Sequence, residues 1–359
     1  MEAFTVSALK YRPTNFEEVV GQQAITQTLQ NAIETKQLAQ SLLFCGPRGV
    51  GKTSCARILA QQINSIDNDT HSENFAFNVF ELDAASNNSV EDIRKINEQV
   101  RIPPQVGTHK IYIIDEAHML SAAAFNAFLK TLEEPPKHVI FILATTEKNK
   151  IIPTILSRCQ VYDFKRISVI DIQKHLLKIA TAQQVEYEEE ALFLMAQKAE
   201  GALRDALSIY DRMVSFTSGK LSTALVAENL NVLGFDTYFS IVNQCQNHQI
   251  PEILIDFNHL TQKGFDGMQF LLGLELHLRN VLLAKDKKTH ALLELGEGIK
   301  EKYMHQAQDL ETDWLLDALD LLNQCEVNFK SSHNKHLHLE LYLMQLASLH
   351  FNGEKKKDT

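Results

Sequence analysis

A glycine-rich turn between an apolar run and a helix-favouring segment constrains this chain more than any other feature. Residues 46–53 read Gly-Pro-Arg-Gly-Val-Gly-Lys-Thr and fit the pattern G-x-x-x-x-G-K-[ST] at every position. The apolar run "SLLFC" precedes the turn, and the segment "TSCARILAQQI" follows it. A strand, a phosphate-binding loop and a helix in this order predict an α/β fold with a parallel sheet.

The residue types of this loop suit a nucleoside triphosphate bound with Mg²⁺. Its glycines allow backbone angles that turn successive amides toward phosphate oxygens. We expect Lys52 to reach the β- and γ-phosphates and Thr53 to place its hydroxyl on Mg²⁺. A chance match would lack the flanking strand and helix. The loop residues expected to bind the nucleotide are Gly46, Pro47, Arg48, Gly49, Val50, Gly51, Lys52 and Thr53.

A second constellation lies in "IYIIDEAHML", residues 111–120, where an apolar strand ends in two acids. We expect Asp115 to hold Mg²⁺, directly or through water, and Glu116 to activate a water for attack on the γ-phosphate. Acids at a strand end also occur as a plain helix cap, and the phosphate loop favours the catalytic interpretation. "DEAH" also names a helicase class, but no second α/β lobe follows in the sequence.

Three further residues occur at spacings that suggest control of hydrolysis. Thr146 closes an apolar run, and its hydroxyl could position the attacking water. Arg158 is expected at the edge of the α/β domain, where it could reach a nucleotide on a neighbouring subunit. Arg204 begins a later helix and could reach the same γ-phosphate. A structural ion pair for Arg158 and a helix-surface role for Arg204 are the alternatives.

Strand candidates occupy the first part of the chain, and helical periodicity occupies the rest. The strand candidates are residues 41–45, 77–82, 110–115, 138–144 and 160–164. Their nearly continuous apolar runs indicate strands buried on both faces of a parallel sheet. The expected domains are a nucleotide-binding core at 1–165, a small helical module at 166–221, an all-helical domain at 222–350 and a polar tail at 351–359.

Composition limits the classes of function that fit. The net charge of -10 argues against a broad DNA-binding surface but permits a local basic strip. Five cysteines are scattered without a C-x-x-C pair, which favours reduced thiols over a metal site. No apolar run approaches the roughly 20 residues that cross a bilayer, and the N-terminus lacks a signal-peptide pattern. We therefore expect a cytoplasmic protein without membrane contact.

With these motifs in this order, the chain resembles the AAA+ ATPases of the clamp-loader branch. More narrowly, it resembles the gamma/tau motor subunits of bacterial DNA polymerase III clamp loaders. The matching text includes "LKYRPTNFEEVVGQ", "ELDAASNNSVEDIR", "AFNAFLKTLEEPPKHVIFILATTE", "ILSRCQVYDFKRIS" and "GALRDALS", and covers most of residues 8–210. The strings "SRC" and "LEEPP" are far more specific than the phosphate loop. The resemblance implies an AAA+ core, a helical lid at 166–221 and an oligomerising collar at 222–350.

The resemblance also implies roles for single residues and for partners. Thr146 would be sensor 1, Arg158 a finger acting on the neighbouring subunit, and Arg204 sensor 2. ATP binding with Mg²⁺ would close a spiral of five subunits that opens a sliding clamp, and hydrolysis would release the clamp. The implied partners are delta, delta-prime, further gamma/tau copies, the sliding clamp and primer–template DNA. The residues implied around the adenine are Tyr11, Arg12, Pro13 and Val20.

DNA contacts in such loaders are made to phosphates inside the spiral and are independent of sequence. The segment "SVEDIRKINEQVR" supplies the candidates Arg94, Lys95 and Arg101. A solvated helix face is the alternative interpretation of these three side chains.

One segment departs from the family pattern. Relatives usually carry four cysteines as a zinc module just after the helix of the phosphate loop. Residues 61–80 contain no cysteine, and His71 is their only histidine. Structural zinc needs about four such ligands, so we predict no zinc in this segment. The chain also ends soon after the collar, as in a short gamma-like form or a truncated chain.

Two alternatives come from other functional classes. A non-hydrolysing scaffold similar to delta-prime usually lacks the phosphate loop, whereas Lys52, Thr53, Asp115 and Glu116 are intact here. Binding of ATP would discriminate against this scaffold. Another AAA+ DNA motor, such as a branch-migration helicase, would end in a winged-helix domain, whereas residues 223–350 indicate helices alone. Strand displacement by the isolated protein would favour that motor.

Overall fold

A computed structural model describes residues 5–65, 78–105, 107–230, 233–293 and 295–351. The chain divides into two compact units, one formed by Met1–Ile179 with Ala196–Arg212 and the other by Ala180–Met195 with Met213–Thr359. None of the helices in the described ranges combines the length and apolar composition needed to cross a bilayer.

A five-stranded parallel sheet forms the centre of the first unit. The strand order is β2-β3-β4-β1-β5. β1 and β4 are buried along their whole length, which explains why their sequences are continuously apolar. All five predicted strands are present, with ends shifted by no more than two residues. The strands are β1 (Ser41–Cys45), β2 (Val79–Asp83), β3 (Lys110–Asp115), β4 (Val139–Thr145) and β5 (Gln160–Asp163).

Helices cover both faces of this sheet. Alternate strand residues point to opposite faces, so Phe44 packs with α2 and α3, whereas Leu43 packs with α4 and α5. This layering confirms the predicted α/β core. The helices of the chain as far as residue 216, whether or not they pack on the sheet, are α1 (Ser7–Lys10), α2 (Gln23–Glu34), α3 (Lys52–Ser65), α4 (Val90–Gln99), α5 (Ala122–Glu133), α6 (Pro153–Leu156), α7 (Val169–Ala182), α8 (Glu189–Lys198) and α9 (Leu203–Phe216).

Capping hydrogen bonds and prolines set the ends of two helices that pack against the sheet. Asp92 N donates to Ser89 Oγ at 3.2 Å, and Ser89 N donates back to Asp92 Oδ2 at 3.3 Å, so the predicted capping box starts α4. Ser121 Oγ accepts from Ala124 N at 3.2 Å at the start of α5. α5 ends at Glu133, before the two prolines that cannot continue it.

The second unit is helical, as predicted, apart from one short strand pair. β6 (Glu186–Tyr187) pairs in parallel with β7 (Lys220–Leu221). The sequence shows no strand signal after about residue 166, and this pair of short strands is an addition to the predicted helical structure. A strand of two residues is too short to produce an alternating pattern, which is why the sequence gives no sign of it. The remaining helices are α10 (Thr223–Leu230), α11 (Phe235–Gln246), α12 (Ile250–Gln262), α13 (Gly267–Ala284), α14 (Glu297–Asp309), α15 (Thr312–Phe329) and α16 (Lys335–Ala347).

A buried polar network around His277 joins three helices of this unit. His277 itself is only 1% exposed. His277 Nε2 lies 2.8 Å from Gln306 Oε1, and Nδ1 lies 2.9 Å from the hydroxyl of Tyr303. Gln306 Nε2 donates to the carbonyl of Phe239 at 3.1 Å, which fixes the orientation of the amide. Gln306 Oε1 can only accept, so His277 Nε2 carries the proton and Nδ1 accepts from Tyr303. Burial lowers the pKa of His277 to about 4.

Candidate active site

The carboxyl ends of three adjacent strands bring the sequence motifs to one edge of the sheet. β4 lies between β1 and β3. Thr145, at the end of β4, pairs with Cys45 at the end of β1, and β3 ends at Asp115. The glycine-rich loop after β1, the acids at the end of β3 and the hydroxyl of Thr146 after β4 therefore converge. Ligands of open α/β sheets bind at this edge.

Close packing explains why glycine occupies the loop. Gly46 has φ 147°, and a Cβ there would lie 2.4 Å from the carbonyl oxygen of Phe164. Gly49 has φ 75°, and its Cβ would lie 3.1 Å from Cβ of Ala202. α3 begins at Lys52, so the amides of its first turn are available to an anion held by the loop.

The side chain of Lys52 is buried and is held by backbone carbonyls of its own loop. It is 6% exposed, and its Nζ donates to the carbonyls of Gly46 at 2.8 Å and Pro47 at 2.7 Å. An ammonium has three N–H groups, so one remains for a phosphate. Burial lowers the pKa of Lys52, and the charges of Glu116 and Asp115 act in the opposite direction.

The hydroxyl of Thr53 meets the first acid directly. Thr53 Oγ1 donates to Asp115 Oδ2 at 2.7 Å, and Asp115 Oδ1 accepts from Glu116 N at 2.9 Å. These hard oxygen ligands fit Mg²⁺, which usually takes one or two protein oxygens and completes its shell with phosphates and water. In the ranges that the structure describes, no group of three or more His, Cys, Asp or Glu side chains is placed to hold a metal ion.

Glu116 combines a strained backbone with an anchored carboxylate. Its φ of 47° and ψ of 44° are left-handed, a conformation that costs a non-glycine residue roughly 1–2 kcal/mol. Such strain is concentrated at functional sites. Thr146 Oγ1 donates to Glu116 Oε2 at 3.0 Å. The sequence predicted that Thr146 would position a water, and in this structure its hydroxyl contacts the carboxylate of Glu116.

A cavity of about 580 Å³ lies beside the loop within the first unit, a size suited to a small-molecule ligand. Gly46, Pro47 and Thr146 do not line it but contact Lys52 or Glu116. Arg204 approaches the loop through its backbone, since its amide donates to the carbonyl of Gly49 at 3.4 Å. The predicted residues that line the cavity are Tyr11, Arg12, Pro13, Val20, Arg48, Gly49, Val50, Gly51, Lys52, Thr53, Asp115, Glu116 and Arg204.

Other residues of the cavity had no sequence signal. Arg57 Nε donates to Glu81 Oε2 at 2.8 Å on the cavity wall. Ser7 N donates to Asp211 Oδ2 at 2.7 Å and ties α1 to α9 across 204 residues of sequence. Local patterns carry no information about partners this distant.

A buried amide supports the loop from behind. Gln22 is 3% exposed, and its Nε2 donates to the carbonyl of Lys165 at 2.7 Å and to that of Val50 at 3.5 Å. Its Oε1 accepts from Lys165 N at 3.3 Å. Gln22 therefore links the phosphate loop to the segment that leads from β5 toward α7.

Arg158 lies apart from the described residues that line this cavity. Its Nε donates to Glu133 Oε1 at 2.9 Å, and its Nη1 donates to the carbonyl of Thr154 at 2.7 Å. The Arg158 side chain is 30% exposed and that of Glu133 is 49% exposed. The guanidinium is thus engaged within its own chain and still reaches the surface.

The DNA-binding candidates are exposed on and after α4. Arg94, Lys95 and Arg101 are all exposed, and Lys95 Nζ lies 3.8 Å from an Asp92 carboxylate oxygen. Of the segment expected to lack zinc, residues 66–77 lie outside the described residues, including His71. Residues 352–359 of the expected polar tail also lie outside them.

The family models and the relatives that match this chain are subunits of DNA polymerase III. Residues 21–168 match the family model described as DNA polymerase III, delta subunit, and residues 171–219 match the DNA polymerase III clamp loader subunit, ATPase lid domain. The chain is 38% identical over 358 residues to DNA polymerase III subunit tau of Bacillus subtilis, covering 94% of this chain and 62% of that relative. It is 39% identical to the Escherichia coli tau subunit, covering 75% of this chain and 44% of that relative.

A shorter relative is covered over four fifths of its length, and one solved structure shows a similar fold over part of the chain. DNA polymerase III subunit gamma of Buchnera aphidicola subsp. Baizongia pistaciae is 35% identical, with 79% of this chain and 80% of that relative covered. A single-substitution variant of Thermotoga maritima RuvB is similar with a TM-score of 0.50 and 21% identity, over 65% of this chain and 78% of the other. The chain spans less than two thirds of the two tau subunits. On this evidence, the chain belongs to the gamma/tau subunit family of DNA polymerase III.

Proposed function

We propose that this chain is an ATP-hydrolysing motor subunit of a replicative clamp loader. The observation that carries the proposal is the contact between Thr53 and Asp115, two residues that line the cavity together with buried Lys52. A loop, a cation and an acid in this arrangement suit a triphosphate with its metal ion. Family membership supplies the replicative context, which also favours a cytoplasmic location.

Different residues of the cavity would bind the adenine, the phosphates and the metal ion of Mg²⁺-ATP. Tyr11, Arg12, Pro13 and Val20 would surround the adenine. The free N–H of Lys52 and the amides at the start of α3 would bind phosphate oxygens. Arg204, exposed at the start of α9, would approach the γ-phosphate. This contact would make the angle of the lid depend on the bound nucleotide. Thr53 and Asp115 would hold Mg²⁺, which neutralises phosphate charge when it is bound.

Hydrolysis requires a base beside the γ-phosphate. A water would attack the phosphorus atom, lose a proton to the carboxylate of Glu116, and displace ADP. Thr146 would keep that carboxylate in place through its hydrogen bond to Oε2. A positioned general base typically contributes about 10²- to 10⁴-fold in rate.

We propose that Arg158 acts on the nucleotide of a neighbouring subunit. Its position away from the cavity of its own chain supports this role. A surface ion pair such as that with Glu133 is worth about 0–1 kcal/mol. An arginine finger contributes roughly 10³- to 10⁵-fold, or about 4–7 kcal/mol. Loss of the ion pair would therefore offset only a small part of the stabilisation that the finger gives to the transition state.

The remaining partners follow from the same proposal. Copies of this chain would assemble with delta and delta-prime subunits into a ring of five through residues 222–350 and open a sliding clamp. Exposed Arg94, Lys95 and Arg101 would contact phosphates of primer–template DNA. Such contacts would make DNA binding weaken steeply with salt.

The decisive experiment measures ATP hydrolysis by the assembled loader with and without sliding clamp and primed DNA. We expect clamp and DNA to stimulate hydrolysis, and Arg158→Ala to remove most of the stimulation while ATP affinity is kept. Glu133→Ala is the matched control, because it breaks the same ion pair but leaves the guanidinium. A purely structural ion pair predicts equal effects from the two substitutions, and equal effects would refute the finger.

Two other outcomes would replace the proposal. Absence of ATP binding at millimolar Mg²⁺-ATP would favour the non-hydrolysing scaffold. ATP-dependent strand displacement by the isolated chain would favour a branch-migration motor.

A further inference from the structure

His118 occupies a position that none of the roles above uses. It lies on the 3₁₀ turn Ala117–Met119, directly after the two acids, and its side chain is 8% exposed. Its Nδ1 lies 3.1 Å from Thr145 Oγ1 and 3.4 Å from Glu116 Oε2. Its Nε2 lies 3.4 Å from Glu147 Oε1. One buried ring thus joins the proposed base to the end of β4.

The two oxygens of Glu116 have different surroundings. Oε2 accepts from Thr146 Oγ1 at 3.0 Å and also faces His118 Nδ1. Across the described residues, Oε1 receives no hydrogen bond. A general base must lie within hydrogen-bond reach of the proton that it removes, so its orientation decides its efficiency. Anchoring Oε2 leaves Oε1 as the oxygen that can meet the attacking water.

The far side of the ring is also fixed. Glu147 Oε1 accepts from Lys150 Nζ at 2.8 Å, and Glu147 N donates to Thr145 Oγ1 at 3.1 Å. Thr145 is fully buried in the sheet. The two ring nitrogens of His118 face Thr145 Oγ1 at the end of β4 and Glu147 Oε1 just after it, so turning the ring would lose contacts on both sides.

We propose that His118 is a positioning residue for hydrolysis. Its Nδ1 edge holds Glu116 Oε2 so that Oε1 is presented to the water. The proton removed from water ends on Glu116, and His118 takes no part in the transfer. This inference rests on the proposed function, since it takes Glu116 as the base.

Two amide substitutions separate the two edges of the ring. The amide nitrogen of Asn occupies nearly the position of Nδ1, whereas that of Gln occupies nearly the position of Nε2. In the clamp- and DNA-stimulated loader, we expect His118→Gln and His118→Ala to lower kcat about tenfold or more, with the KM for ATP changed by less than about twofold. His118→Asn keeps a donor toward Glu116, and we expect it to retain most of the turnover.

A histidine elsewhere in the first unit provides the control. His138 Nε2 lies 2.9 Å from the carbonyl of Val100, away from the cavity. His138→Ala should lower the melting temperature without changing kcat. Equal losses in the Asn and Gln variants of His118, or a rise in KM that follows a fall in melting temperature, would indicate a merely structural ring and overturn the inference.

Failure of the inference is distinguishable from failure of the proposed function. If the unsubstituted loader turns over ATP and His118→Gln does so equally fast, the positioning role alone is refuted. If the unsubstituted loader shows no turnover, the proposed function is refuted before any variant is compared, and the inference falls with it.

Discussion

Acidification should destabilise the helical unit through His277. The ring is buried among uncharged groups of the described chain, with Tyr303 and Gln306 on its nitrogens and the ring of Phe239 at 4.6 Å. Its pKa is about 4 in the folded protein against an ordinary value of 6.5. Between these two values the unfolded chain binds more protons than the folded chain, so stability falls as pH falls.

The size of the effect follows from the two pKa values. The contribution of the neutral ring is complete above pH 6.5 and is lost as pH falls toward about 4. The whole difference amounts to about 3.4 kcal/mol. Between about pH 7.5 and about pH 5.5, the ring alone should lower the free energy of unfolding by about 1.3 kcal/mol.

The chain offers a probe for this measurement. Trp314 is its single tryptophan, lies on α15 of the same unit and is 6% exposed. Urea unfolding followed by tryptophan fluorescence therefore reports on this unit at each pH. His277→Gln cannot titrate and should remove the difference of about 1.3 kcal/mol between the two pH values, even if it lowers stability at both.

Tyr303→Phe is the matched control, since it removes one hydrogen bond of the network but leaves the ring buried. We expect this variant to be less stable than the parent at both pH values and to keep the dependence on pH. An unchanged pH dependence in His277→Gln would show that other groups cause it, and would refute the reasoning.

Two predictions concern backbone conformation. Gly201 and Gly219 both have φ 85°, but a Cβ at Gly201 would lie 2.7 Å from Cβ of Arg166, whereas nothing lies within 4 Å at Gly219. Gly219→Ala should cost its unit about 1–2 kcal/mol, and Gly201→Ala should cost its own unit about 1–3 kcal/mol more, both measured by chemical unfolding. Glu116→Gly should abolish ATP hydrolysis and yet stabilise the first unit by up to about 1 kcal/mol relative to Glu116→Gln. A Gly variant less stable than the Gln variant in calorimetry would contradict the strain assigned to this residue.

The sequence was sufficient wherever the physical cause is local. Continuous apolar runs predicted all five strands of the sheet. The expected burial on both faces holds for β1 and β4 along their whole length, whereas the edge strands β2 and β5 are only partly buried. The capping box at Ser89 and the end of α5 before its prolines were equally readable, because their partners lie within a few residues. The meeting of the loop with Asp115 at the carboxyl edge also follows from the sequence, since both motifs come directly after parallel strands.

The sequence was insufficient to predict hydrogen-bond partners that only the folded structure brings together. Thr146 has one hydroxyl hydrogen, and only the folded geometry directs it to Glu116. The amide of Gln22 is buried against the backbone of Lys165, 143 residues away, and no periodic pattern marks it. In the sequence, His118 is only one residue of the motif "DEAH". Its contacts with Thr145 and Glu147 form only in the folded chain.

The tie between Ser7 and Asp211 has a practical consequence for preparing this protein. Leu9 and Tyr11 line the cavity, so residues near the amino terminus form part of the wall of the proposed nucleotide pocket. A purification tag or a protease scar at the amino terminus would add residues close to this contact and to the cavity wall. Nucleotide affinities measured on differently tagged samples should therefore be compared only after the extra residues have been removed.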